Sequence, residues 1–248
     1  MNLPNLYIKQ CTGVLILLLL FANTTSAECR HALALGLDVS GSVNDLEYRL
    51  QIEGIAEALD TSKVRRALTI RPDATVDLLV FEWSGPQNSA VILPWTTILN
   101  EQVVSKVITK IRTTQRRQTT PGTALGLAMR EGATYLSSRS HCQHRTLNLS
   151  SDGRSNLGPL PMDVKPEIEI TNITINALVI EARNSLSHNE TQKQIGDLQR
   201  YFKANVIVGS NSFVEIAFSF ENYAKSMARK LEKELEIFML SKLMMPEL

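Results

Sequence analysis

Residues 32–43 read ALALGLDVSGSV, and the fold turns on how that stretch ends. Ala32 to Leu37 form an apolar run with no polar alternation, as a strand buried on both faces of a sheet reads. Asp38 stops the run, and Ser40 and Ser42 follow on either side of Gly41. Helix capping accounts for part of this, since Asn44 and Glu47 just downstream make a capping-box pattern. A carboxylate and two alternate hydroxyls beyond a buried strand also offer oxygen ligands to a hard cation.

Outward from this stretch, strand and helix patterns alternate. Residues 44–60, NDLEYRLQIEGIAEALD, place Tyr48, Ile52, Ile55 and Leu59 at helical spacing. Residues 75–98 hold two β-rich runs around Ser84-Gly-Pro-Gln-Asn-Ser89, which reads as a hairpin. Asn100 then caps a helix carrying Val103, Val107, Ile108 and Ile111. The polar loop RTTQRRQTTPG (112–122) leads to another helix through Leu125, Ala128, Met129, Ala133 and Leu136. RTLNLSSDGRSNLG (145–158) is a strand that stops at a polar loop. Alternation calls for a helix over 161–171, against the grain of Pro161, Pro166 and the β-branched residues there. A strand at 172–182, a helix near 190–202 and a short last strand at ANVIVG (204–209) follow. Residues 212–240 read as one long terminal helix. The predicted class is α/β: a doubly wound, mostly parallel sheet with helices on both faces.

The chain has 248 residues and a net charge of +1. No charge run or basic stripe points to a nucleic acid or a membrane surface. The first residues carry one early cation, Lys9, an apolar stretch from Gly13 to Ala22, and small residues up to Ala27. They read as a secretory signal peptide over 1–27, too short in its apolar part to span a bilayer. One domain is expected over 28–242, with a tail at 243–248. The expected localisation is periplasmic or extracellular. Of three cysteines, Cys11 falls in the leader, which leaves Cys29 and Cys142 in an oxidising setting.

In parallel sheets of this kind, ligands bind beyond the carboxyl ends of strands where the strand order reverses. Three polar loops qualify: DVSGS after the first strand, TTPGTALGLAM opening a helix, and SSDG after the strand ending near Leu149. Asp38, Ser40, Ser42, Thr123 and Asp152 form an all-oxygen set suited to Mg²⁺, or to Mn²⁺ or Ca²⁺. The set resembles the metal-ion-dependent adhesion site of von Willebrand factor type A domains, which show D-x-S-x-S, a threonine before a G-x-A-L-like helix, and Asp-Gly after the fourth strand. FEWSG, PWT, SDGRSN, TINAL, VIVGSNSFVEIA and RKLEKEL are similar to a bacterial exported branch of that family, catalogued as a domain of unknown function.

The resemblance implies a short antiparallel edge made by the second run of the hairpin. It implies that Ser40, Ser42 and Thr123 touch the metal, while Asp38 and Asp152 act through waters or hydrogen bonds. Thr120 is an alternative to Thr123, because Pro121 stands where a second glycine is usual, and Ser151 replaces a common glycine before Asp152. The implied function is protein binding, with the cation accepting a carboxylate from a partner. A metal-dependent phosphate-ester hydrolase is the other reading. Such enzymes usually need a second carboxylate two residues after the first, where Ser40 stands, and the chain has no G-x-x-x-x-G-K-[ST] loop.

If Asp38 and Asp152 meet, their strands run side by side. Cys29 and Cys142, at similar distances upstream, then sit at similar heights, within disulfide reach. His31, His141 and His144 fall at the opposite end of the sheet. Glu82 and Trp83 end a strand beside the first, which brings Glu82 toward the polar loops; a polar contact with the hairpin for Glu82 and core packing for Trp83 are the expected roles.

Overall fold

A computed structural model describes residues 27–181 and 188–243. The expected leader up to residue 26 and the tail beyond 243 lie outside the described residues. The sheet has six strands: β1 (Glu28–Asp38), β2 (Ala74–Trp83), β3 (Ala90–Ile98), β4 (His144–Ser151), β5 (Thr174–Ile180) and β6 (Val214–Ala217). Their order is β3-β2-β1-β4-β5-β6. Every neighbouring pair is parallel except β2 and β3, joined by the expected hairpin. Strand order therefore reverses between β1 and β4, and the crevice beyond their carboxyl ends is the natural ligand position.

The unalternating run of β1 is explained by its two apolar faces. Leu33, Leu35 and Leu37 join one core with α1 (Asp45–Asp60), α2 (Ser62–Thr69), α3 (Glu101–Arg112) and α7 (Tyr223–Leu243). Ala32 and Ala34 join the other with α4 (Leu125–Ser137), α5 (Pro161–Glu169) and α6 (His188–Asn205). Gly36 lets Phe81 cross β1 closely: a Cβ there would lie 2.6 Å from Phe81 Cζ and 2.9 Å from Leu149 Cδ2.

The capping box at Asn44 forms in both directions, so α1 starts directly after the DVSGS loop. The helix expected over 161–171 is present as α5, with Pro161 in its first turn and Pro166 inside it. Two expectations fail. ANVIVG contributes only an isolated antiparallel bridge between Val208 and Ile175, while the last strand is Val214–Ala217, in the stretch expected to be helical. Val214 and Ile216 suit a strand beside β5, and a 3₁₀ turn at Phe220–Asn222 separates them from α7. The short helix α2 is capped by Thr61 and had no counterpart in the sequence pattern.

The disulfide forms between Cys29 and Cys142, with Cα atoms 4.6 Å apart. The register His31↔His144 to Leu37↔Ser150 extends to Cys29 opposite Cys142 at one end and Asp38 opposite Ser151 at the other. Asp152 thus lies one residue beyond the level of Asp38.

Candidate metal centre

Asp38 ends β1 and is fully buried. Its Oδ1 accepts from the Ser40 amide at 2.9 Å, and its Oδ2 accepts from Ser151 Oγ at 2.5 Å. The chain then turns back sharply. Ser40 Oγ and Ser42 Oγ lie 3.2 Å apart, and Ser42 Oγ donates to Asp152 Oδ1 at 2.7 Å. Four of the five expected residues are therefore connected directly: Asp38, Ser40, Ser42 and Asp152.

Thr123 arrives from the loop between α3 and α4. That loop is pinned along the DVSGS turn. Thr119 Oγ1 donates to the Val39 carbonyl at 3.1 Å, the Gly41 amide donates to the Pro121 carbonyl at 3.0 Å, and Arg116 donates to the Val43 carbonyl at 2.5 Å. Gly41 is needed for this approach, since a Cβ would sit 2.6 Å from Pro121 Cβ. The Thr123 amide donates to Asn156 Oδ1, and the Thr123 carbonyl accepts from the Asn156 amide, which ties the threonine to the loop after β4. Thr120 points elsewhere: its Oγ1 accepts from Asn88 in the β2–β3 hairpin at 2.9 Å.

Among the described residues, neither Asp38 nor Asp152 forms an ion pair, so the cluster holds two carboxylates without a paired cation. Burial, then the charge of Asp152, pushes the Asp38 carboxyl up from the ordinary range, against the pull of donors from Ser151 and Ser40. Burial and the charge of Glu47 push Asp152 up as well, with the Ser42 hydroxyl opposing. Asp152 Oδ2 is buried and accepts no hydrogen bond. A divalent cation fits this donor set: hydroxyl and carboxylate oxygens, uncompensated negative charge and an orphaned oxygen.

Sequence reasoning missed Ser151, counted only as a substitute for glycine, although its hydroxyl holds Asp38. Glu82 is buried near the carboxyl end of β2, but the expected hairpin contact is not what holds it: the Tyr48 hydroxyl of α1 donates to its Oε1. Trp83 is buried as expected. At the far end of the sheet, Cys29, Asp77, His141 and Cys142 form a second cluster of potential ligands. Both sulfurs there are consumed by the disulfide, and Asp77 accepts from Thr97 and pairs with Arg139.

A family model described as "Protein of unknown function (DUF1194)" matches residues 28–238. No curated protein sequence matches. Solved structures give the fold. The pilus adhesin SpaC from Lactobacillus rhamnosus GG, in its open conformation, superposes with a TM-score of 0.61 at 13% identity, over 86% of this chain and 31% of the adhesin. Proximal thread matrix protein 1 from the mussel byssus, with a zinc-occupied MIDAS motif, gives 0.55 at 17% identity, over 85% and 48%. The von Willebrand factor type A protein from Catenulispora acidiphila gives 0.54 at 16% identity, over 85% and 43%. This chain spans less than half the length of each.

Proposed function

Since the chain belongs to the DUF1194 family and has the von Willebrand factor type A fold, we propose that it is an exported binding module whose divalent cation, Mg²⁺ in the first instance, accepts a carboxylate from a protein partner. Ser40, Ser42 and Thr123 would hold the ion, and Asp38 and Asp152 would act on it through waters or their hydrogen bonds. The bound cation would supply an electrophilic coordination position for an oxygen from outside the chain.

The chain's own residues prepare that position. Asp38 fixes the Ser40 turn and is itself fixed by Ser151, so the first loop is held before anything binds. Asp152 orients the Ser42 hydroxyl. Hydroxyl ligands carry no charge, so they leave the cation's attraction for a partner carboxylate largely undiminished. The observation that carries the reading is Asp152 Oδ2, buried and unpartnered beside a second buried carboxylate. Binding is favoured over hydrolysis because Ser40 occupies the place where a second catalytic carboxylate would stand.

The test is an affinity capture from the native secretome with wild-type protein in Mg²⁺, in chelator, and with Asp38→Ala in Mg²⁺. A partner retained only by wild type in Mg²⁺ supports the reading. Equal capture in chelator, or metal-dependent turnover of a phosphate ester by pure protein, overturns it.

A further inference from the structure

Between the β2–β3 hairpin and α4 lies an open cavity of about 680 Å³, lined mainly by apolar groups that include Trp83, Pro86 and Leu127. That size is ordinary for a ligand pocket. The cavity adjoins the candidate metal centre, because the amide of Ala124, next to Thr123, donates to the Ser84 carbonyl at 2.8 Å. Asn88 of the hairpin holds Thr120 of the same loop.

Two features of the lining bear on what it could hold. Trp83 Nε1 and Ser84 Oγ are buried and, among the described residues, have no hydrogen-bond partner. Glu131 is half-buried, and its Oε1 accepts from Ser89 Oγ and from Tyr135 Oη at 2.7 Å. Burial, then the bond to Glu131, pushes the Tyr135 hydroxyl up to about 12, so it remains a donor. Both partners of the carboxylate are neutral. The adjacent Arg130 is spent on Glu167, to which it donates from Nε at 2.8 Å and Nη2 at 2.5 Å. Among the described residues Glu131 makes no ion pair.

We propose that this groove binds a primary ammonium group on an aliphatic stem, a lysine side chain of the partner protein, with the stem along Leu127 and Pro86 and the head on Glu131. The walls suit four methylenes, and the held carboxylate supplies the charge that an ammonium would neutralise. The peptide carbonyl of the same residue is of the type that Trp83 Nε1 and Ser84 Oγ lack. That the lysine belongs to the partner rests on the metal-site reading, but the chemistry of the groove does not.

The chain has two tryptophans, Trp83 and Trp95, so indole N–H resonances of the full chain give a direct readout. The titrant is Nα-acetyl-lysine amide in chelator, where a failure of the metal site cannot affect the outcome. The Trp83 resonance should shift saturably while that of Trp95 stays fixed. The Nε-acetylated analogue should bind at least roughly tenfold more weakly, the loss expected of one charge-assisted hydrogen bond, and Glu131→Gln should show the same loss. An unchanged Trp95 resonance certifies the fold of the variant. Leu127→Trp, which fills the groove from a half-buried helix position, should abolish the shift. No shift in wild type, an equal response to the acetylated analogue, or full binding by Glu131→Gln would overturn the proposal.

Discussion

Replacing Glu234 should be among the most damaging single changes in this chain, although it belongs to no part of the candidate metal centre. Glu234 and Lys230, one turn apart on α7, are both buried, at 1% and 0% exposure, and form an ion pair at 2.6 Å. Glu234 also accepts from Asn148 of β4 and Asn176 of β5, each at 2.6 Å. Removing one partner of a buried pair strands the other charge and costs about 3–5 kcal/mol. Two stranded carboxamide donors add about 1–3 kcal/mol each. Glu234→Leu should therefore lose at least about 4 kcal/mol, a large share of a typical stability of about 5–15 kcal/mol. Lys230→Met combined with Glu234→Leu removes the charge and should recover part of the loss, but the two asparagines keep it below wild type. Glu234→Gln is gentler and carries a pH signature. Burial holds the Lys230 ammonium below its ordinary range, against the pull of Glu234 and Glu215 and together with a push from Lys233. With the folded pKa below the unfolded one, the unfolded chain binds more protons in the window between them, so stability rises with pH there. The deficit of Glu234→Gln relative to wild type should shrink as pH rises from 7 toward 10. Urea unfolding followed by circular dichroism measures all of these. A loss under about 1 kcal/mol for Glu234→Leu, or a double variant no more stable than the single, would refute the reasoning.

Breaking the disulfide by Cys29→Ser with Cys142→Ser should cost about 4–5 kcal/mol by the chain-entropy model, because the bridge spans 113 residues. Thiol titration of denatured, unreduced protein should find neither cysteine free. Burial, then the charges of His144 and Arg30, lowers His31 to about 3, so the unfolded chain takes up this proton first on acidification. Stability should fall as pH drops from about 6.5 toward 3, and His31→Gln should show a shallower fall in thermal unfolding over that window.

Much of the fold was legible because β1 holds a continuous apolar run and both β1 and β4 carry chemistry at their ends. Asp38 marks one end of β1 and Cys29 the other, and the matching distances to Asp152 and Cys142 gave the adjacency of the strands. The match was off by one, since Ser151 and not Asp152 stands opposite Asp38. Sequence spacing cannot tell which residue of a turn faces inward, and so the role of Ser151 was invisible. ANVIVG reads as a strand because it is mostly apolar, and VEIA reads as part of the terminal helix, yet VEIA is what pairs with β5. The Lys230–Glu234 pair looks in sequence like an exposed i,i+4 pair on a charged helix. Only the packing of α7 against β4 and β5 reveals it as buried, with Asn148 and Asn176 waiting beneath. The groove at Glu131 depends likewise on a hairpin and a helix that are 42 residues apart at the Ser89–Glu131 contact.

The central claim is that Asp38, Ser40, Ser42, Thr123 and Asp152 hold a divalent cation. Isothermal titration of Mg²⁺, and then Mn²⁺, into chelator-treated full-length protein tests it most directly, with Asp38→Ala and Ser42→Ala alongside. The account predicts saturable binding of one ion per chain in wild type, lost in Asp38→Ala and weakened in Ser42→Ala while both variants keep the wild-type circular dichroism spectrum. Absence of binding by either cation, or wild-type binding by folded Asp38→Ala, would contradict it.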